Sequence, residues 1–331
     1  MKRKNMLISC AAILLASLTA CSSNRKAAVS ESETDKQTVE APPFDADSAY
    51  SYVQRQVDFG PRVPNTEAHR ACGDYLAQKL EAFGAKVYNQ QADLMAYDGT
   101  LLKARNIIGA YKPESKKRIA LFAHWDCRPW ADQDPDKRQH HTPIPGANDG
   151  ASGVGVLLEI ARLIGQQQPA LGVDIILLDA EDYGAHNDYT GPRKEEFWCL
   201  GSQYWARNPH VPNYNARFGI LLDMVGGHDA QFRYEGMSEE YARHINRKVW
   251  NVASSLGYGQ YFVKEQGNYA TDDHLFINQI ARIPTIDIIA YSEEHDFFEH
   301  WHTLKDDMDA IDRNTLKAVG QTVLQVIFNE D

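Results

Sequence analysis

The sequence predicts an α/β fold: a single-domain α/β/α sandwich whose central sheet is mixed, mostly parallel and twisted. Two features of the chain carry that prediction. Short, mostly apolar runs alternate with longer segments whose apolar residues return at helical spacing. A strand with no polar face is covered on both sides, and its alternation with helices is the pattern of a sheet so covered. No internal repeat of fixed period interrupts the pattern.

The first stretch of the 331-residue chain stands apart. Lys2, Arg3 and Lys4 precede an apolar run from Met6 to Leu18, too short to span a bilayer as a mature helix. Residues 1–20 therefore read as a signal peptide. Leu18-Thr19-Ala20-Cys21 has the form of a bacterial lipobox, which makes Cys21 the lipidated first residue of the mature chain; plain cleavage near Ala20 is the alternative. Ser22 after Cys21 favours the outer membrane in a Gram-negative source. Residues 21–43 are mostly polar and close on Pro42-Pro43. Such a stretch buries too little apolar surface to order itself and is expected to be a disordered tether. Residues 44–331 are long enough for one large core.

Within that domain, Thr66 to Phe83 reads as a helix stopped by Gly84, with Cys72, Leu76 and Leu80 on its apolar side. Ile119 to Ala123 is a buried strand, and Ser152 to Ile164 a helix. Val173 to Leu178 and Ile220 to Met224 are two further strands. Ser238 to Leu256 is an amphipathic helix ended by Gly257. Ile286 to Ala290 is a strand, and Asn314 to Phe328 a final helix.

The formal net charge is −11, and removal of residues 1–20, with their three positive charges and no negative ones, takes it to −14. So acidic a chain without a Lys/Arg cluster is no partner for nucleic acid. Of its five cysteines, Cys10 goes with the signal peptide and Cys21 is lipidated, leaving Cys72, Cys127 and Cys199. These allow at most one disulfide and lack the paired spacing of a structural zinc site.

In sheets of this kind, ligands sit beyond the strand ends. There the sequence places His124-Trp125-Asp126, Asp149 in a Gly-rich loop, Glu181-Asp182, Asp223 and Trp301-His302-Thr303. His, Asp and Glu in such an array are the N/O donor set of catalytic zinc. Of the adjacent pair, one carboxylate can bind metal while the other shuttles a proton; Asp126 is placed to orient His124. Singly, Asp149 reads as a turn former, Glu181-Asp182 as a solvated pair and His302 as a surface histidine. Asp223, inside an apolar run, is costly unless paired or metal-bound. Trp205 and Trp250 read as helix packing.

Together these segments resemble the M28 zinc aminopeptidase superfamily over nearly all of residues 44–331, in the family's order. The resemblance implies an M28 aminopeptidase-like fold, metal positions at His124, Asp149, Asp182, Asp223 and His302, and a general base at Glu181. A narrower resemblance is to the glutaminyl cyclase branch in its bacterial lipoprotein form. It rests on Val53-Gln-Arg-Gln-Val-Asp-Phe-Gly-Pro61, Arg105-Asn-Ile-Ile108, Leu200-Gly-Ser-Gln203, Leu221-Leu-Asp-Met-Val-Gly226, Thr271-Asp-Asp-His274 and Trp301-His-Thr303. That branch implies one zinc on Asp149, Asp182 and His302, with Glu181 as acid/base. It also implies a hydrogen-bonded pair of Asp223 with Asp272, and pocket walls of Trp301, Phe297 and Trp198. Two departures from the animal cyclases are Asp182, where they carry Glu, and Thr271, where they carry Gln.

The implied reaction turns the N-terminal Gln of peptides or proteins into pyroglutamate with loss of ammonia. His124 and Asp223 would also serve a second zinc, so hydrolysis by a two-zinc aminopeptidase is the alternative, and an inactive peptide-binding lipoprotein the third. The expected location is the bacterial cell envelope, exported and held at the membrane by the lipid anchor alone.

Overall fold

The computed structural model describes residues 39–292 and 297–331. The signal peptide and Cys21 lie outside the described residues, as does most of the expected tether. In chain order the elements begin with α1 (Ala46–Val57), α2 (Glu67–Ala82), β1 (Lys86–Met95), β2 (Leu101–Tyr111) and β3 (Arg118–His124). Then come α3 (Ala151–Gln166), β4 (Gly172–Leu178), α4 (Leu200–Arg207), β5 (Gly219–Asp223) and β6 (Phe232–Tyr234). The chain closes with α5 (Gly236–Ser255), β7 (Phe262–Gln266), α6 (Asp273–Phe276), β8 (Thr285–Ile289) and α7 (Arg313–Asn329).

The main sheet has six strands in the order β1-β2-β4-β3-β5-β8. β4, β3, β5 and β8 run parallel, and the β1–β2 hairpin joins β4 antiparallel, so the sheet is mixed as predicted. Along β3, Ile119, Leu121 and Ala123 face a core shared with α1, α2, α3, α5 and α7, while Ala120 and Phe122 face Trp205 of α4 and Ile277. That alternation is why these strands are mostly apolar on both faces. In register, His124 stands opposite Leu178, and Asp223 opposite Ile289, which brings the carboxyl ends of the parallel strands to one edge.

Local chemistry sets the helix limits. The Thr66 hydroxyl accepts from His69 N at 3.2 Å and caps α2, which is followed by Gly84 at φ +87°. α5 starts two residues earlier than Ser238 because the Glu235 carboxylate accepts from the N–H groups of Met237 and Ser238. Trp205 and Trp250 are fully buried, as their packing role requires.

Order begins before Phe44, a correction to the expected tether boundary. Gln325 on α7 accepts from Ala41 N at 3.1 Å and donates to Val39 O at 2.9 Å. One turn earlier, Gln321 accepts from Phe44 N at 2.8 Å and donates to Pro42 O at 3.2 Å. Two side-chain amides thus give residues 39–44 the hydrogen bonds that a sheet would. Among the described residues Cys72, Cys127 and Cys199 are buried and free, and no helix is long and apolar enough to cross a membrane.

Candidate active site

The predicted site residues converge at the carboxyl edge of the sheet. His124 ends β3, Asp223 ends β5, and Glu181 and Asp182 sit on the turn after β4. Asp149 precedes α3, at whose N-cap stands Gly150. A Cβ on Gly150 would lie 2.5 Å from His124 Cε1, so only glycine lets the Asp149 loop close over that imidazole. The loop is held from behind by Asp306, whose two oxygens accept from Asn148 N at 2.7 Å and Asp149 N at 3.1 Å. His302 arrives on the loop before α7 in a left-handed backbone conformation, φ +56°.

Two donor triads share Asp149. In one, the ligand atoms of Asp149, Asp182 and His302 all lie within 4.8 Å of one another; in the other, those of His124, Asp149 and Asp223 do. In the first, His302 Nε2 is 3.1 Å from Asp182 Oδ1 and 3.5 Å from Asp149 Oδ2. Asp182 Oδ2 is buried without a hydrogen-bond partner among the described residues. A buried, unpartnered carboxylate oxygen beside an imidazole and a second carboxylate is what a divalent cation would satisfy, and three N/O donors leave zinc one open position. In the second triad, His124 Nε2 already bonds Asp149 Oδ1 at 3.0 Å and Asp223 Oδ1 at 3.1 Å.

Two expected pairings are corrected. Asp126 lies 3.6 Å from His124 Nδ1, beyond hydrogen-bonding range, and its oxygens instead accept from Glu181 N at 3.1 Å and Asp182 N at 3.2 Å. It therefore shapes the turn that carries both carboxylates. Asp223 bonds His124 and not Asp272. Asp272 groups instead with Glu181 and Cys199 on one side and with His274 and Asp287 on the other, each set within 4.8 Å.

The first triad, Glu181, Asp223 and Asp272 line a cavity of about 210 Å³, walled by Trp198, Phe297 and Trp301, with Met224, Ala270, Thr271 and Ile289 completing it. All three aromatic residues predicted for the pocket are in it. Trp301 stacks on His302 with ring centroids 3.9 Å apart, and Phe297 packs on Trp301 at 4.7 Å. Trp198 rests on Gly184, where a Cβ would come within 2.0 Å of its ring.

Charge in the site follows from burial. Desolvation, with the like charges of Asp182, Asp272 and Asp273, pushes Glu181 well above the usual carboxylate range, and His124 pulls the other way. A cation on the neighbouring triad would oppose that rise. Burial, with the Arg128 guanidinium nearby, lowers His302 to about 3, so its imidazole stays neutral with a lone pair to offer. Asp223 is pushed up to about 7 by burial, against the pull of His124.

Arg128, Asp132, Asp306 and Cys199 were not among the predicted site residues. Arg128 bonds Asp132 through Nε at 2.8 Å and donates to Asp182 O at 3.0 Å; Cys199 Sγ lies 3.1 Å from Glu181 Oε1. The available signals were proximity in sequence to His124 for Arg128 and to His302 for Asp306. Cys199 gave none beyond the habit of cysteine to be buried.

The chain is similar to known proteins over most of its length. The model of peptidase family M28 matches residues 106–327. A glutaminyl cyclase of Bacteroides thetaiotaomicron, solved with N-acetylhistamine bound, is 72% identical, covers 88% of this chain and 100% of its own, and superposes with a TM-score of 0.88. A structure described as a leucine aminopeptidase precursor from the same species is 71% identical over 88% of this chain and 100% of that one, TM-score 0.87. Bovine glutaminyl-peptide cyclotransferase is 25% identical over 311 residues, 81% of this chain and 78% of that protein. Against aminopeptidase YwaD of Bacillus subtilis, 24% identical over 280 residues, the chain spans 54% of the relative's length.

Proposed function

The chain belongs to peptidase family M28, and from that membership and the site geometry we propose that it is a zinc-dependent glutaminyl-peptide cyclotransferase. It would convert N-terminal Gln of peptides and proteins to pyroglutamate and release ammonia. The observation that carries this reading is the pocket. At about 210 Å³ it is smaller than the ~300–1,000 Å³ of common ligand sites, yet it presents the base, the donor triad and three aromatic walls together. That is room for one terminal residue folded on itself rather than for a chain passing through.

The substrate α-amine attacks its own side-chain amide carbon; the new C–N bond closes the ring and the amide nitrogen departs as ammonia. Glu181 takes a proton from the amine and returns it to the leaving nitrogen, and its burial keeps its proton affinity high enough for both transfers. Trp198, Phe297 and Trp301 exclude water, which would otherwise compete as nucleophile, and hold amine and amide in contact. Asp149, Asp182 and His302 would hold a zinc ion, which would supply Lewis acidity to the γ-carbonyl. We read one ion per chain, because the first triad holds the buried Asp182 oxygen that lacks a hydrogen-bond partner among the described residues, whereas His124 bonds both carboxylates of the second.

The second reading, hydrolysis with two ions, is favoured by the His124–Asp149–Asp223 triad. Residues 1–43 support export and attachment through Cys21, so the substrates would be N-termini met in the cell envelope.

The test is mass spectrometry of a Gln-initiated peptide incubated with residues 39–331, with metal content measured in parallel. Loss of one ammonia from a full-length peptide, about one zinc per chain, and at least a hundredfold fall in Glu181→Gln are the expected results. Release of free amino acid with two ions bound would overturn the reading in favour of hydrolysis.

A further inference from the structure

Cys199 is completely buried and stands at the N-cap of α4 with φ +57°. Its side chain makes no capping bond to the helix. Both features are unusual at that position. N-caps favour Ser, Thr, Asn or Asp in extended conformation, and left-handed backbone favours Gly or Asn.

What the side chain does instead is turn back onto Glu181. Cys199 Sγ donates to Glu181 Oε1 at 3.1 Å, and Cys199 N donates to Glu181 O at 2.9 Å. Next to it, Leu200 N bonds Ala180 O at 3.0 Å. One residue therefore holds Glu181 by its main chain and by its carboxylate. With Glu181 ionised, as a general base must be, the carboxylate only accepts and the thiol is the donor. Burial, with the negative charge of Glu181 beside it, keeps the thiol protonated and able to donate.

We propose that Cys199 is a positioning residue for the proton shuttle, its thiol pinning Oε1 of Glu181 so that Oε2 is the oxygen that exchanges protons with the substrate. This rests on the role assigned to Glu181 above. A glycine would adopt the backbone of residue 199 without strain, so the presence of a side chain there points to the bond it makes. The other two cysteines do not share this arrangement: Cys127 donates only to Ile144 O, at 3.5 Å, and Cys72 lies in the apolar core.

The experiment compares Cys199→Ala, Cys199→Gly and Cys199→Ser in kcat, KM and bound zinc. Cys199→Gly removes the donor while relaxing the backbone, and bound zinc with circular dichroism separates misfolding from loss of the bond. The Ala and Gly variants should lose kcat about tenfold, the scale of one orienting hydrogen bond, with KM and zinc content unchanged. Cys199→Ser, which keeps a donor, should recover most of the loss. A readout independent of turnover is the S–H stretch of Cys199, isolated as the infrared difference between wild type and Cys199→Ala; Glu181→Gln should shift it.

Unchanged kcat in the Ala and Gly variants overturns the proposal. So does failure of Ser to restore it, or an S–H band that ignores Glu181→Gln. If the wild type releases amino acids rather than ammonia, the cyclase reading fails instead, and the same three variants test the positioning of Glu181 on the hydrolytic rate.

Discussion

Replacing Arg128 by Met removes a strut that the site stands on. The guanidinium is almost wholly buried and clasps Asp132 with Nε at 2.8 Å and Nη2 at 2.6 Å. It also donates to Asp182 O at 3.0 Å and lies 4.8 Å from the centre of the Trp198 ring and 5.3 Å from that of Trp130. Methionine keeps the apolar contacts and abandons the Asp132 carboxylate in a dry environment. Breaking a buried pair from one side costs roughly 3–5 kcal/mol, so Arg128→Met should lower the unfolding free energy by about that much. Arg128→Met/Asp132→Leu, which removes both charges, should recover most of it, giving a coupling energy of about 2 kcal/mol or more. The assay is urea denaturation of the four proteins of the cycle, read at constant m-value. Because the same guanidinium fixes the main chain of Asp182, a proposed metal ligand, zinc affinity of Arg128→Met should also fall, by about 10–100-fold. A loss below about 1 kcal/mol, or additivity in the double variant, would refute the view of this pair as a structural strut.

Two further outcomes are expected. Asp306→Asn leaves one carbonyl oxygen to serve two N–H groups and turns an amide toward one of them. It should weaken zinc binding about tenfold or more by chelator competition, with little change in the far-ultraviolet circular dichroism. Glu235 tests the pH dependence of stability: burial alone would raise its carboxyl, but the His274 charge and bond at 2.9 Å, with Ser238, hold it at about 2 against an ordinary 4.5. A depressed carboxyl stabilises the fold above its unfolded value and loses that contribution as pH falls, so the loss should run from about pH 4.5 to 2. It is worth roughly 3 kcal/mol, and Glu235→Gln should flatten that part of the acid unfolding curve.

The parts of the fold that could be read from sequence are those where burial leaves a composition. β3, β4, β5 and β8 are apolar on both faces and were predicted with limits close to those observed. β1 was not, because Asn89, Gln90 and Gln91 occupy its middle and its outer edge is free of the sheet. α4 is only 8 residues long and lacks a side-chain cap, so no start signal precedes it. In the site, the residues that end strands were found because a polar group closing an apolar run is conspicuous. Those acting through another residue's backbone were missed or given the wrong partner: Asp306 works on the N–H groups of Asn148 and Asp149, and Asp126, expected to orient His124, works on those of Glu181 and Asp182. Nothing in the spelling of a sequence marks a carboxylate whose partners are main-chain amides far away along the chain.

The pairing of Gln321 and Gln325 with residues 39–44 fixes where the chain enters the domain. α7 starts beside the pocket, since its N-cap residue Asp312 donates from its N–H to Gly226 O, three residues beyond Asp223. Its 17 residues then carry it about 25 Å away, to where Glu330 meets Arg217 at the opposite edge of the sheet, before β5. Val39 is held at that far end. A support joined at Val39, whether a bead or a fluorophore, would be fixed near the end of α7 remote from its Asp312 N-cap, and so away from the pocket residues. Large ligands could then approach without meeting the surface to which the domain is fixed.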